Sequence, residues 1–553
     1  MRFLGSALLA LAGSTLLGPS PLTAQNVRES VRVDVVTVRL SVRDSSGKPI
    51  LDLKPSDLEL AIDGRAQAID ALTLVGPPSD PATSGLSNTG PGAGSGDAVA
   101  RTAIFLDEGE TKVSDRAKVY GEIGRYLEGS DSGDQLMIAR FDGAQMDVVT
   151  RWTTDRGAVS ATLSQLATQA SPLKILSTSD AERGIRSGSI MPGGSSAGAL
   201  SSLSMNMELN TYRSRLETAL LEVLAAFPME PSTKRVILVS SGTALTRPAD
   251  LAAAFQAPHV EQLSPEQATC SSKACLRKVE QSRTAFTLWE RAANHAKGLS
   301  MDDVVVKALE HDVALVPIAA DPFAGGRQVG VDARGNIPPD TVSLHGGAIK
   351  AFWEIAEQSG GEPILVPAKT GARLGEIGGR AVYELSFRDP FVDDHHLHSI
   401  GVVSRRKGVE IDYRRGYRIL PEDERTLDAV VARLSRAADD NPSEPSFALA
   451  LGPADTSGKN MTRLRLTFTA PAEKGLAENR DFVVIAVGER DDGSRTDPVR
   501  FKAVGERASS ASTEYTAVSD LKIPYGRYTW SLAVQDAQTG LIAYAVVKPQ
   551  SAK

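Results

Sequence analysis

Several groups of residues in this 553-residue chain have the types and spacing that chemistry uses. Gly194-Ser195-Ser196-Ala197-Gly198 matches Gly-x-Ser-x-Gly, the turn that presents a hydrolase serine to its base. Such a turn needs a strand directly before it and a helix directly after it. Here the preceding residues 187–193 are mostly small and polar, which argues against a nucleophilic Ser196. His395, His396 and His398 stand beside Asp393 and Asp394, but no further Cys or His follows at zinc spacing, so a metal role is not expected of them. Cys270 and Cys275 are the only cysteines, and a local disulfide is expected, two free thiols being the alternative. Tyr413, Arg414, Arg415 and Tyr417 have the Arg-aromatic composition of interfaces. Strand alternation puts neighbours on opposite faces, so the tyrosines are expected to pack and the arginines to be solvated. No Gly-x-x-x-x-Gly-Lys-[Ser/Thr] loop for nucleotide phosphates is present.

The elements that must position these residues follow from periodicity. Residues 31–42 alternate apolar and polar with many β-branched side chains and end at a Ser/Gly/Pro turn, and Asp63-Gly64 marks a hairpin after them. Residues 76–97 are rich in Gly, Pro, Ser and Thr and read as a flexible linker. Then the pattern becomes strand and helix in alternation. Strands are expected at 102–106, 135–141, 235–239, 313–318 and 363–366, and helices at 116–127, 156–167, 210–227, 302–310 and 348–359. Such alternation specifies a parallel sheet covered by helices on both faces. After residue 381 the pattern is β again, with a helix at 422–437, and from 446 onward alternating strands separated by Gly, Asp and Pro turns predict an antiparallel sandwich.

Composition bounds the class. With 41% hydrophobic and 23% charged residues and a formal net charge of −7, the chain is ordinary for a globular protein. It has no basic, aromatic-interleaved tract of the kind that binds nucleic acid. Arg2, the apolar residues 3–17, a Pro-containing break and Leu22-Thr23-Ala24 have the layout of a secretory signal peptide cut after Ala24. A periplasmic or extracellular protein is therefore expected. No later segment is long and apolar enough to span a bilayer, which takes about 20 residues.

These landmarks together resemble the bacterial, Acidobacteria-type proteins with a von Willebrand factor A (VWFA)-related domain. The carrying segments are residues 35–64, the strand ending at Asp107, and 235–242 (Arg-Val-Ile-Leu-Val-Ser-Ser-Gly). Downstream, 355–361 (Ile-Ala-Glu-Gln-Ser-Gly-Gly), 383–385 (Tyr-Glu-Leu) and 407–417 continue it. The resemblance covers about residues 31–417 and implies a Rossmann-like A domain that binds protein partners through a divalent metal at the C-terminal edge of its sheet. Its metal motif is Asp-x-Ser-x-Ser after the first strand, a Thr from a middle loop and an Asp after the fourth strand. Here the first element reads Asp107-Glu108-Gly109-Glu110-Thr111, so the central Ser is Gly109, and the later Asp falls at Ser241. The resemblance thus implies a degenerate site, with Asp107 and Thr111 as weak Mg²⁺ ligands and Glu108 and Glu110 as possible extra donors. It also places the histidines in a hairpin turn.

The expected organisation is a signal peptide (1–24), an N-terminal β region (25–75), a linker (76–100) and a doubly wound, mostly parallel, Rossmann-like α/β domain (101–380). That domain carries a polar loop (171–206) and a Cys-containing insertion (256–285). Completing β strands (381–420), a helix and linker (421–445) and a C-terminal antiparallel β-sandwich (446–553) follow. The short β stretches 31–74 and 381–417 are too small to fold alone and are expected to pair, with the α/β domain inserted between them. The functional expectation is an exported, non-enzymatic, adhesion-type module for a protein or surface glycan. Beyond a possible weak Mg²⁺ it needs no cofactor. The alternative is a hydrolase using Ser196 or a metal near Asp107.

Overall fold

The computed structural model describes residues 35–75, 100–169, 196–246, 301–320, 344–434, 448–451 and 461–547, apart from short interruptions. The signal-peptide region, the linker, the Cys270–Cys275 pair and residues 171–195 lie outside the described residues.

Two four-stranded antiparallel sheets share one core. The first, in the order β12-β1-β10-β4, joins β1 (Val35–Asp44) to β10 (Ala381–Arg388) and β12 (Val409–Tyr413), with β4 (Ala71–Leu74) on the far edge. Val38 lies opposite Leu385 and Leu40 opposite Tyr413. The second, β13-β11-β2-β3, contains β2 (Leu58–Ile62), β3 (Arg65–Gln67), β11 (His398–Ser404) and β13 (Gly416–Tyr417). Alternation turns Val38, Leu40 and Val42 of β1 inward to meet Leu60 and Ile62 of β2, leaving the intervening residues nearer to solvent. The chain thus leaves this β module after β4 and returns to it at β10.

Between the two visits lies a five-stranded sheet in the order β7-β6-β5-β8-β9, from β5 (Arg101–Asp107), β6 (Gln135–Phe141), β7 (Met146–Thr153), β8 (Lys234–Ser240) and β9 (Val313–Ala319). Ala103 and Phe105 pack on α3 (Ser196–Ala225), α4 (Asp302–Glu310) and α5 (Leu344–Ser359) through Leu216, Leu220, Val304 and Phe352. Ile104 and Leu106 face α1 (Val113–Gly129), α2 (Arg156–Thr168) and α6 (Thr370–Gly378) through Ile123, Leu163 and Leu374. Because β5, β6, β8 and β9 are buried on both faces, they read as largely apolar runs, whereas β7 is mostly part-exposed.

The expected doubly wound, mostly parallel, Rossmann-like fold is corrected by this architecture. The protein is a mixed α/β assembly with seven α-helices among the described residues, in which three of four sheets are wholly antiparallel. The fourth is itself mixed, since β7 runs antiparallel to β6. The cause is local. Asp142 accepts hydrogen bonds from the backbone of Ala144 (2.8 Å) and Gln145 (3.0 Å), closing a turn between Phe141 and Met146. So short a connection reverses the chain, whereas a parallel partner needs a crossover of about a dozen residues. The strand expected at 363–366 is reduced to a single bridge between Ile318 and Ile364.

The expected C-terminal sandwich is corrected as well. β14 (Ala448–Leu451), β15 (Met461–Pro471), β16 (Asn479–Arg490), β17 (Val499–Arg507), β18 (Glu514–Pro524), β19 (Tyr528–Asp536) and β20 (Ile542–Val547) form one seven-stranded antiparallel sheet, ordered β14-β15-β18-β17-β16-β19-β20. One face gathers Val484, Trp530 and Leu532. The other face, at Ile485, Val487 and Ala533, is covered by Val430 and Leu434 of α7 (Glu422–Leu434). Alternation declares that a strand has two apolar faces but not that a helix will cover one of them. No described helix is long and apolar enough to cross a membrane.

Candidate functional site

β5 and β8 are neighbouring parallel strands, with Leu106 in register with Val239, so their C-terminal ends bring Asp107 and Ser240 together. Asp107 is fully buried. Its Oδ2 accepts a hydrogen bond from the Ser240 hydroxyl at 2.7 Å and its Oδ1 one from the Tyr212 hydroxyl of α3. Thr111 turns its hydroxyl back to the Asp107 carbonyl at 2.9 Å. Glu110 accepts from the Ser241 hydroxyl at 2.7 Å through Oε2, while its Oε1 has no hydrogen-bond partner among the described residues. Arg213, next to Tyr212 on α3, donates from Nε to the Ala244 carbonyl at 2.7 Å.

Glu108 points to the opposite face of the sheet. There it forms an ion pair with Arg116 of α1 at 3.0 Å, the two side chains being 1% and 0% exposed, and the Tyr120 hydroxyl lies 3.5 Å away. The three acids after β5 therefore divide between two environments, and among the described residues no three His, Cys, Asp or Glu side chains are grouped to hold a metal.

Burial dominates the electrostatics. It pushes the Asp107 carboxyl up, against the opposing hydrogen bonds from Tyr212 and Ser240, and it pushes Glu110 up further because the charge of Asp107 adds to it. Burial raises Glu108 as well, with the Arg116 charge opposing. The Arg213 guanidinium is lowered to about 10 by burial, and the Tyr212 phenol is held well above its ordinary value, so it stays a neutral donor.

The fit of a divalent metal can be read from these contacts. Mg²⁺ asks for near-octahedral oxygen donors and keeps several waters. Here both Asp107 oxygens accept hydrogen bonds, the Thr111 hydroxyl serves a carbonyl, Glu108 is committed to Arg116, and Asp107, Glu108 and Glu110 are no more than 2% exposed. At position 109 a Cβ would lie 2.5 Å from the Tyr212 hydroxyl oxygen and 2.6 Å from its ring. The residues as arranged do not fit a hydrated Mg²⁺. Tyr212 and Ser240 were not singled out by sequence reasoning, although Tyr212 lies one helical turn before Leu216 on the apolar face of α3 and Ser240 ends the apolar run of β8.

Ser196 is the first residue of α3, which begins well before the 210–227 expected. A helix thus follows the serine, while the residues before it lie outside the described ones. The histidines do not converge. His398 places Nδ1 2.8 Å from Asp63 and Nε2 3.0 Å from Asp394, with its ring stacked 4.1 Å from that of Phe391. His395 faces the Ile419 carbonyl at 3.0 Å, and Asp393 is outside the described residues. Tyr413 and Tyr417 are buried, their hydroxyls bonded to the Val402 amide and to Asp389. Arg415 pairs with Glu357 on the surface. Arg414 is not solvated as expected: it donates to the carbonyls of Leu309 and Thr37, both at 2.7 Å, and ties α4 to β1.

No family model matches the chain, and no curated protein matches it.

Proposed function

We propose that this chain is an exported, non-enzymatic binding protein that engages a protein or a surface glycan, and that it is one of the VWFA-related bacterial proteins its landmarks resemble. The observation that supports it most is the state of the β5 edge. Asp107, Glu108 and Glu110, the acids a hydrolytic or metal-assisted reaction would use, are buried and bonded to the chain's own side chains. A general acid, base or metal ligand must reach its substrate, and among the described residues these groups are bonded to Tyr212, Ser240, Ser241, Arg116 and Tyr120. Binding on this reading runs through outer surfaces and needs no metal.

The test is binding of the full chain to immobilised cell-envelope proteins and to a glycan array, with Mg²⁺ or with EDTA, beside an ester and peptide hydrolysis panel on the wild type and Ser196→Ala. Saturable binding that survives EDTA, with no turnover, is expected. Hydrolysis abolished by Ser196→Ala would replace this reading with the serine hydrolase, for which the helix starting at Ser196 supplies one of two structural requirements. Binding lost in EDTA would refute the metal-free form.

A further inference from the structure

We infer that Tyr212 is an internal ligand of the β5 edge: its hydroxyl bonds Asp107, its ring fills the space beside it, and the two together close the edge to divalent cations. This stands on the site's geometry and not on the partner-binding reading.

Three independent observations meet at this tyrosine. Its hydroxyl and that of Ser240 donate to the two oxygens of one carboxylate, so the Asp107 charge is dispersed over two hydrogen bonds within the protein. Its ring occupies the space that any side chain at position 109 would need, so Gly109 and Tyr212 are matched: the missing Cβ is what admits the ring. Finally, the ring is fixed. It is 1% exposed, meets Phe141 edge to face at 5.2 Å, and rides on a helix that packs on the sheet through Leu216 and Leu220. Its neighbour Arg213 anchors the same turn of α3 to the Ala244 carbonyl. Buried against Phe141, the ring cannot leave this place without displacing the side chains packed around it.

The position of Ser241 completes the arrangement. Its hydroxyl donates to Glu110, and being a serine it brings no anionic oxygen to this strand end. An incoming dication would have to displace the two hydroxyl donors of Asp107, and Glu110 on the same face is already held by Ser241, with both acids no more than 2% exposed.

The experiment is a calorimetric titration of the full chain with Mn²⁺ and Mg²⁺, comparing the wild type, Tyr212→Phe, and the triple variant Tyr212→Ala/Gly109→Ser/Ser241→Asp with and without Asp107→Asn. No binding is expected in the wild type or in Tyr212→Phe. One Mn²⁺ should bind the triple variant, and Asp107→Asn should abolish it. Tyr212→Phe should lower the melting midpoint by at least about 2 °C, because the buried carboxylate loses a donor. A wild-type site for one Mn²⁺ that Asp107→Asn removes would overturn the inference. So would a triple variant with a wild-type circular dichroism spectrum that binds nothing, or a Tyr212→Phe midpoint equal to the wild type's.

Discussion

His398 should act as a charged staple whose hold on the β module depends on pH. Its ring nitrogens lie 2.8 Å from Asp63 and 3.0 Å from Asp394, and both partners are carboxylates. Neutral imidazole has one N–H, so only the imidazolium can donate to both. Burial by itself would lower the histidine's pKa, but the hydrogen bonds and charges of Asp63 and Asp394 outweigh it, and the net direction is up. A folded pKa above the unfolded value, near 6.5, means that the stabilisation is complete below that value and is lost as pH rises through the folded pKa. Asp63 and Asp394 are both held below the ordinary carboxylate range, in each case chiefly by hydrogen bonds to their charged forms, so their share is lost only as pH falls through their lowered values. The staple is strongest between those limits. Charge-assisted bonds contribute about 1.5–3 kcal/mol each in sheltered sites, and since the two carboxylates are 40% and 34% exposed we take about 1–2 kcal/mol as the cost of His398→Gln at pH 6. Hydrogen exchange followed by mass spectrometry on peptides from β2 and β11, corrected for intrinsic rates, reads this locally. The loss of protection in His398→Gln should be largest near pH 6 and shrink as the wild-type imidazole deprotonates. A difference that stays constant from about pH 5 to pH 9 would show that the ring merely packs on Phe391, and the reasoning would fail.

Two further outcomes follow from burial. Glu108→Gln should cost about 3–5 kcal/mol, because it leaves Arg116 charged and 0% exposed without its carboxylate, whereas the double change Glu108→Leu/Arg116→Met should recover much of that loss; chemical denaturation of the three variants checks it. Gly361→Ala should prevent accumulation of folded protein, since a Cβ there would lie 1.8 Å from the Leu315 carbonyl oxygen of β9, backbone that cannot yield as a side chain end can; soluble expression beside the surface control Gly408→Ser, which meets nothing within 4 Å though it adopts positive φ, checks it.

What the sequence revealed depended on whether the information was local. The run at 102–106 announced a buried strand because every residue in it is apolar or β-branched, and Asp107 stood out as the first acid after it. β7 escaped notice because Asp147 and Arg151 interrupt its apolar residues, although Asp142-Gly143 was a turn signal in plain view. Arg140 reaches across to Asp147 at 2.8 Å, so the charges that hide the strand belong to its pairing. At the candidate site the acids could be read but their partners could not. Whether Glu108 and Glu110 face one metal or opposite sides of the sheet depends on how the chain turns after Asp107. Tyr212, more than a hundred residues away, reaches Asp107 only through the packing of α3. The early start of that helix was missed although Leu200, Leu203 and Met207 stand at helical spacing, because the Ser and Gly residues among them made residues 171–206 read as a polar loop.

The sheets are joined by groups that no local pattern marks. α7 turns Val430 and Leu434 to the C-terminal sheet and Asp428 to the central unit, where it meets the Lys307 ammonium at 2.6 Å and the fully buried His311 at 3.0 Å. Burial alone would raise the Asp428 carboxyl, but the hydrogen bond from His311 and the charges of His311 and Lys307 hold it low. Arg151 of β7 extends the junction, donating to the Leu434 carbonyl and pairing with Glu489 of β16 at 2.6 Å. On the other flank Arg39 bonds Asp312 and Glu384, each at 2.9 Å, and couples the β module to the end of α4. Asp428–Lys307, Arg151–Glu489 and Arg39–Asp312 each tie a charge of one unit to a partner in another, so separating the units would leave charges unpaired as well as apolar area exposed. The full chain, not an excised sheet, is therefore the unit whose binding is to be measured.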